Sequence, residues 1–245
     1  MSNNGYDKSA EFYDYFDKKE NIDFFCSYAL RAREALDVGA GTGRISIPIM
    51  EKGIKVWCVE SSPKMLQQFL MKLDAKPELE RNVELIKADA SSFKIKRKFK
   101  FVFMSGVFDH FLTKEEREKV LVNIYNHMEK EGVLIFDMFL GLMKDSSIKP
   151  AGIYVNNEKE YKRHVGAKVL EDNKIEVTLI YEIFEKNKLV DKVEEKSFAA
   201  ILNKDEVIQL VKDIGFEILN MYSNYDFTTF KTGDNILIIE AQKVN

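Results

Sequence analysis

The stretch from Glu34 to Ser46, EALDVGAGTGRIS, places glycines at 39, 41 and 43 directly after a short apolar run. The run EALDV reads as a buried strand, and RISIPIMEKG after the glycines reads as a helix ending near Gly53. A strand that turns into a helix through G-x-G-x-G brings bare backbone to the carboxyl end of a sheet. Open α/β folds hold their ligands at that end. Pro48 is awkward inside the helix, because its ring clashes with the carbonyl at Arg44, so a kink or a bent first turn is expected.

The same rhythm continues. IKVWCVE (54–60) reads as a second strand, followed by a helix SSPKMLQQFLMKL with Ser62 as N-cap and Pro63 at the first helical position. NVELIKAD (82–89) and FKFVFMS (99–105) read as strands. TKEEREKVLVNIYNHMEKEG reads as a helix opened by a Thr113-x-x-Glu116 capping box and closed by Gly132, and VLIFDMF as a fifth strand. Strands alternating with helices imply a parallel sheet covered on both faces.

From 153 to 200 the rhythm changes to consecutive strands separated by turn residues such as Asp172, Asn173 and Asn187, an antiparallel meander. Ile175, Val177, Leu179, Tyr181 and Ile183 share one face, so the meander is expected to be half-buried, covering part of the main body. The α/β pattern then returns with the helix NKDEVIQLVKDIGF and the strands EILNMYSNYDF and NILIIEAQK. The expected organisation is one domain over 1–245 with a meander inserted at 153–200 as a lid over the substrate.

Two acids extend the glycine motif. Glu60 ends the second strand, where a carboxylate accepts from both ribose hydroxyls of an adenosine and repels a 2′-phosphate. Asp89 ends the third strand, where a carboxylate accepts from an adenine amino group. Tight turns account for some glycine clusters, and solvated strand ends often carry acids, but three strand ends in register favour a nucleotide-like ligand. A dinucleotide fingerprint would need a third glycine at position 44, which is Arg.

The series DVGAGTG, VESSPKML, IKADASSF and FVFMSGVFDHF resembles, in order, the four cofactor motifs of the class I S-adenosylmethionine-dependent methyltransferases. The helix KDEVIQLVKDIGF and the two closing strands look like that fold's C-terminal end, so the resemblance covers most of the chain. It implies a Rossmann-like, mostly parallel seven-stranded sheet with helices on both faces, whose last strand enters antiparallel, plus the inserted meander. By similarity, Asp37 supports the glycine loop and the amino-acid end of the cofactor. Gly39, Ala40 and Gly41 pass under the methionyl and ribose portion. Glu60 holds the ribose, Ser61 and Met65 flank the adenine, Asp89 and Ala90 meet its amino edge, and Met104 and Ser105 line the cofactor near its sulfur.

The meander and the N-terminal YDKSAEFYDYF are similar to small-molecule methyltransferases acting on amines or hydroxyls, with S-adenosylhomocysteine as the second product. Tyr6, Tyr13 and Tyr15 are candidates for the active-site cover, and Phe108, Asp109 and His110 for the acceptor side. His110 is a candidate base. Methyl transfer asks mainly for alignment and exclusion of water, so a dedicated base is not obligatory. An RNA or protein methyltransferase and a non-catalytic cofactor-binding domain of the same fold are the alternatives.

Composition narrows the partners. Thirty-seven Lys and Arg against 40 acids give a net charge of −3, no global field for nucleic acid or an anionic membrane. The basic run KIKRKFK (94–100) reads as a solvated loop, and the fourth strand lacks the Asn/Asp-Pro-Pro-aromatic tetrapeptide of enzymes that methylate exocyclic base nitrogens. His127 and His164 have no partner at metal-ligand spacing, so no metal site is expected. The polar, acidic N-terminus, the absence of a bilayer-length apolar run and two unpaired cysteines favour a cytoplasmic protein.

Overall fold

The computed structural model describes residues 6–16, 20–141, 143–156 and 159–244. Its strands are β1 (Glu34–Val38), β2 (Lys55–Glu60), β3 (Val83–Lys87), β4 (Phe99–Met104), β5 (Met128–Phe139), β6 (Ser146–Asn156), β7 (Lys159–Leu170), β8 (Lys174–Glu185), β9 (Lys188–Ala200), β10 (Phe216–Tyr222) and β11 (Ile236–Lys243). The helices are α1 (Ile22–Ala32), α2 (Ser46–Glu51), α3 (Pro63–Asp74), α4 (Lys114–Asn126) and α5 (Lys204–Ile214). Short 3₁₀ segments occupy Ala10–Phe16, Pro77–Asn82 and Phe108–His110.

The main sheet has seven strands in the order β10-β11-β5-β4-β1-β2-β3. β1 pairs parallel with β2 and β4, β2 with β3, and β4 with β5, whereas β11 runs antiparallel to both β5 and β10. The period-2 alternation of β1 sends Leu36 and Val38 into the core under α4 and α5, and Ala35 into the core under α1 to α3. Both faces are buried, as a parallel sheet requires.

The predicted helix starts hold. Ser62 accepts from Met65 N–H ahead of Pro63, and Thr113 and Glu116 form the reciprocal capping box. Two helix boundaries differ from the sequence expectation, and the strand expected to run to Phe227 ends at Tyr222. α4 stops at Asn126 instead of reaching Gly132, because Met128 is drawn into the core as the first residue of β5 and Phe99 N–H bonds the His127 carbonyl. α2 begins only at Ser46, which puts Pro48 in the first turn, where a missing N–H breaks no helical hydrogen bond. Two elements stand outside the expected series. They are α1, whose Phe24, Phe25, Tyr28 and Ala29 form its buried face, and the exposed edge strand β6, which extends the meander back to Ser146.

The second sheet, β6-β7-β8-β9, is antiparallel throughout. Its hairpins turn at Asp172–Asn173 and Lys186–Asn187, all four with positive φ, the backbone of a type I′ turn. The inner face buries Tyr161, Leu179, Tyr181 and Ile183 against Phe12. What the meander covers is therefore the N-terminal segment 6–16, a strap lying between the two sheets.

Candidate functional site

A cavity of about 320 Å³ opens at the carboxyl ends of β1 to β4. The glycine loop forms its floor. All three glycines have positive φ (84°, 56° and 77° at Gly39, Gly41 and Gly43), yet their missing side chains face different surroundings. A Cβ on Gly39 would lie 2.5 Å from a methyl carbon of Val107, and one on Gly43 would lie 2.4 Å from the ring of Phe69. On Gly41 it would meet nothing within 4 Å. Only Gly41 is bare for the sake of the cavity; the other two make room for the protein's own packing.

The loop is held from below. Gly39 and Ala40 donate to the Val59 carbonyl (2.8 and 3.0 Å), and Gly41 N–H donates to Glu60 Oε2 at 2.8 Å. Glu60 Oε1 accepts from Ser62 N–H at 2.7 Å. Burial raises the Glu60 pKa against the pull of these amides. Asp37, on the α2 side of β1, accepts from Ser46 Oγ at 2.6 Å, and burial, reinforced by Glu60, lifts its pKa to about 7. Ser61, Met65, Asp89 and Ala90 complete this half of the wall, with Asp89 Oδ1 capping the turn through Ser91 N–H and Oγ.

The other half is made of side chains from distant segments. Ser105 Oγ donates to Asp137 Oδ2 (2.6 Å), Gly106 N–H to Asp137 Oδ1 (2.6 Å), and Tyr225 OH to Asp137 Oδ2 (2.9 Å). Asn21 links the Ser105 hydroxyl to the Arg44 guanidinium, at 2.9 and 2.5 Å. Tyr6 and Tyr13 descend from the strap, edge to face with centroids 5.2 Å apart, and His110 meets Tyr6 edge to face at 5.6 Å.

His110 Nδ1 lies 2.8 Å from the Phe198 carbonyl on β9. A carbonyl only accepts, so Nδ1 carries the proton of the neutral ring and Nε2 carries the basic lone pair. Burial lowers the His110 pKa below its ordinary value, with the Phe198 bond opposing, so the ring is neutral at pH 7.

The cavity brings together Asp37, Gly39, Ala40, Gly41, Glu60, Ser61, Met65, Asp89, Ala90, Ser105, Tyr6, Tyr13 and His110. Four other candidates lie elsewhere. Met104 alternates away from the cavity into the core, and Phe108 is buried against Phe136 at 4.5 Å between centroids. Tyr15 stacks on Tyr154 at 4.3 Å, on the second sheet. Asp109 turns back to accept from Phe139 N–H at 3.1 Å, with Oδ1 buried and unpartnered and its pKa raised by burial to about 7. The 3₁₀ turn Phe108–His110 rotates successive side chains by about 120°, so neighbours in sequence do not share a direction. Thr42, Arg44, Val107 and the supporting Asp137 and Asn21 were missed by sequence reasoning. Arg44 was visible only as the residue that spoils a dinucleotide motif.

A left-handed Gly41 with open space beside it, the buried Glu60 at the end of β2 and Asp89 just beyond β3 line one cavity at the strand ends of an α/β protein. The methyltransferase domain family model matches residues 35–132. A glycine/sarcosine N-methyltransferase of Aphanothece halophytica is 24% identical over 219 residues, 86% of this chain and 77% of that relative. An S-adenosylmethionine-dependent methyltransferase from Clostridium acetobutylicum superposes with a TM-score of 0.80 at 18% identity, covering 98% of this chain and 99% of its own. CalS10, an amino pentose methyltransferase from Micromonospora echinaspora solved with S-adenosylmethionine bound, gives 0.70 at 16% identity, covering 96% and 93%. Residues 35–132 thus carry a methyltransferase domain, and the chain has the fold of S-adenosylmethionine-dependent methyltransferases. S-adenosylmethionine is accordingly its cofactor. Among the described residues, no helix is long and apolar enough to cross a membrane, and no cluster of metal ligands occurs.

Proposed function

We propose that this enzyme methylates the nitrogen of a small-molecule amine, with His110 as the proton acceptor. The observation that carries the reading is the Nδ1 contact with Phe198, which fixes the tautomer of a neutral imidazole on the cavity wall. The names of the glycine/sarcosine and amino pentose relatives point the same way. Tyr6, Tyr13 and the strap close the cavity from above, which suits a small acceptor better than an RNA or a protein.

The residues fit the cofactor. A Cβ at Gly41 would fill the cradle, and Glu60 is anchored by two backbone amides while each of its oxygens keeps a second lone pair for a ribose hydroxyl. Asp89 and Ala90 would take the adenine edge, Ser61 and Met65 its faces, and Asp37, Gly39, Ala40, Gly41 and Ser105 the amino-acid end. The bound cofactor supplies a methyl group activated by a sulfonium, ready for in-line displacement by a lone pair. The chain's own tasks are to align the acceptor, exclude water, and remove the proton of the amine at His110 Nε2. An amine that meets the wall of Tyr6, Tyr13 and neutral His110 reacts in its uncharged form, because only that form carries the lone pair that attacks the methyl group. With both cysteines buried and free, a cytoplasmic site of action suits the chain.

The test is S-adenosylhomocysteine formation with glycine, sarcosine and a panel of amino sugars, beside matched hydroxyl compounds. Turnover with amines that falls about 10²- to 10⁴-fold in His110→Ala, at unchanged S-adenosylhomocysteine affinity, supports the reading. Turnover restricted to hydroxyl acceptors, or untouched by His110→Ala, refutes it.

A further inference from the structure

The inner face of the second sheet is largely apolar, with Ser197 and the Arg163 that lies over the Phe16 ring as other polar members, and Glu195 on it is 5% exposed and paired in register with Leu179. A carboxylate so placed is stable only when its oxygens are engaged. Among the described residues the donors come from two consecutive strap residues: Lys8 N–H to Oε1 at 2.9 Å, Ser9 N–H to Oε2 at 3.0 Å and Ser9 Oγ to Oε2 at 2.5 Å. Ring contacts of the strap with the same sheet, Phe12 with Tyr181 (4.6 Å) and Tyr15 with Tyr154 (4.3 Å), extend the attachment.

The strap's bonds to the nucleotide side are of another kind. Asp7 accepts from Ser62 Oγ at 2.5 Å, two residues beyond Glu60. Asp14 accepts from Thr42 Oγ1 at 2.8 Å and pairs with Lys72, whose ammonium also bonds the Thr42 carbonyl at 3.0 Å. Water replaces such partly exposed polar bonds readily, and it does not replace a buried carboxylate and an aromatic cluster.

We propose that Glu195 is a positioning residue that fastens the strap to the four-stranded sheet, so that the two move as one lid over the cofactor, opening at Asp7–Ser62 and Asp14–Thr42/Lys72. The proposal rests on the reading of the cavity as the cofactor site. Glu195 touches no reacting atom. Its effect is to hold the segment that carries Tyr6 and Tyr13 down on the cavity wall.

The experiment measures S-adenosylhomocysteine dissociation by stopped flow and amide hydrogen exchange across residues 6–16 in the full chain. Gln at 195 offers one acceptor oxygen where two are used, so Glu195→Gln should speed ligand release about tenfold and accelerate exchange at Lys8 and Ser9. Asp14→Asn should also speed release, while Lys8 and Ser9 stay protected, because the strap leaves with its sheet. Glu240→Gln, in a buried carboxylate that bonds Tyr28, Asn220 and Tyr222 at the β10–β11 edge of the main sheet, is the control. It should lower the melting temperature and leave release within twofold of wild type. If Glu195→Gln does not fold, Ser9→Ala removes one donor alone and should show the same pattern at a few-fold scale. Release within twofold of wild type in both Glu195→Gln and Ser9→Ala, or unprotected Lys8 and Ser9 amides in the wild type, overturns the proposal. A wild type that does not bind S-adenosylhomocysteine at all sinks the cofactor reading together with it.

Discussion

The two halves of the cavity are built by different means. The glycine half is backbone: strand ends of β1, β2 and β3 in register, with Gly39, Gly41 and Glu60 tied to β2 by hydrogen bonds that close within some twenty residues of chain. The other half, which we assign to the acceptor, is assembled from Tyr6 and Tyr13 of the strap and His110 after β4, with Phe198 of β9 behind His110. The Phe198–His110 contact alone spans 88 residues. The first half can be read from a motif, and the second exists only once three remote segments are packed. Substitutions should therefore separate cofactor binding from turnover.

The largest expected effect is on the acceptor half. His110→Ala should cost about 10² to 10⁴ in kcat/KM with S-adenosylhomocysteine affinity held within about threefold. Equal losses in both quantities would erase the division between the halves. On the cofactor half, Glu60→Ala should weaken S-adenosylhomocysteine by about ten- to several-hundredfold, since the charge-assisted hydrogen bonds we assign to the ribose hydroxyls would be lost together with the anchor on Gly41. Glu60→Asp should recover part of this, and calorimetric titration reads both.

The glycine loop sharpens the comparison further. Gly43→Ala should lower stability by about 1 to 3 kcal/mol through collision with the fully buried Phe69, whereas Gly41→Ala should incur only the strain of its positive φ. Ligand affinity should respond in the reverse order. Denaturant melts and ligand titrations of the two variants would expose the inversion, and parallel behaviour would mean that both glycines serve one purpose.

Two pH effects are the smallest. Because the His110 pKa is depressed and the base must be unprotonated, kcat/KM should stay level through pH 7 and fall only below about pH 6.5. Asp109 has its pKa raised to about 7 from 3.8, so the folded state holds this proton more tightly than the unfolded chain. Its contribution is full below about pH 4 and is lost as pH rises toward 7. Asp109→Asn should flatten that decline by about 1 to 3 kcal/mol, measured as melting temperature against pH.

Legibility in the sequence followed the range of the forces. The Ser62 cap, the Thr113 capping box, the turns at Asp172–Asn173 and Asn187, the parallel strand ends and the half-buried face from Ile175 to Ile183 depend on neighbours a few residues away, and each stands where the residue pattern puts it. The tripeptide Phe108, Asp109, His110 shows the limit. All three looked like acceptor-side residues, and the 3₁₀ turn left one on the cavity wall, one in the core and one bound to β5. Similarly, the equal spacing of the glycines suggested one common ligand. Val107 and Phe69, 68 and 26 residues away in sequence, account for two of the three.

By itself, the sequence determined the alternation of strands and helices, the bare loop after β1 and the acids at the ends of β2 and β3, because backbone conformation and strand-end position are set by local residue type. Only the tertiary structure decided which side chains the loop makes room for, which tautomer His110 adopts, and that the meander closes on the strap. Those outcomes depend on side chains brought together from far along the chain: Phe198 onto His110, Glu195 onto Lys8 and Ser9, and Tyr225 onto Asp137. Such contacts are selected by packing and by the cost of leaving a buried polar group unpaired, neither of which has a period or a spacing in the sequence.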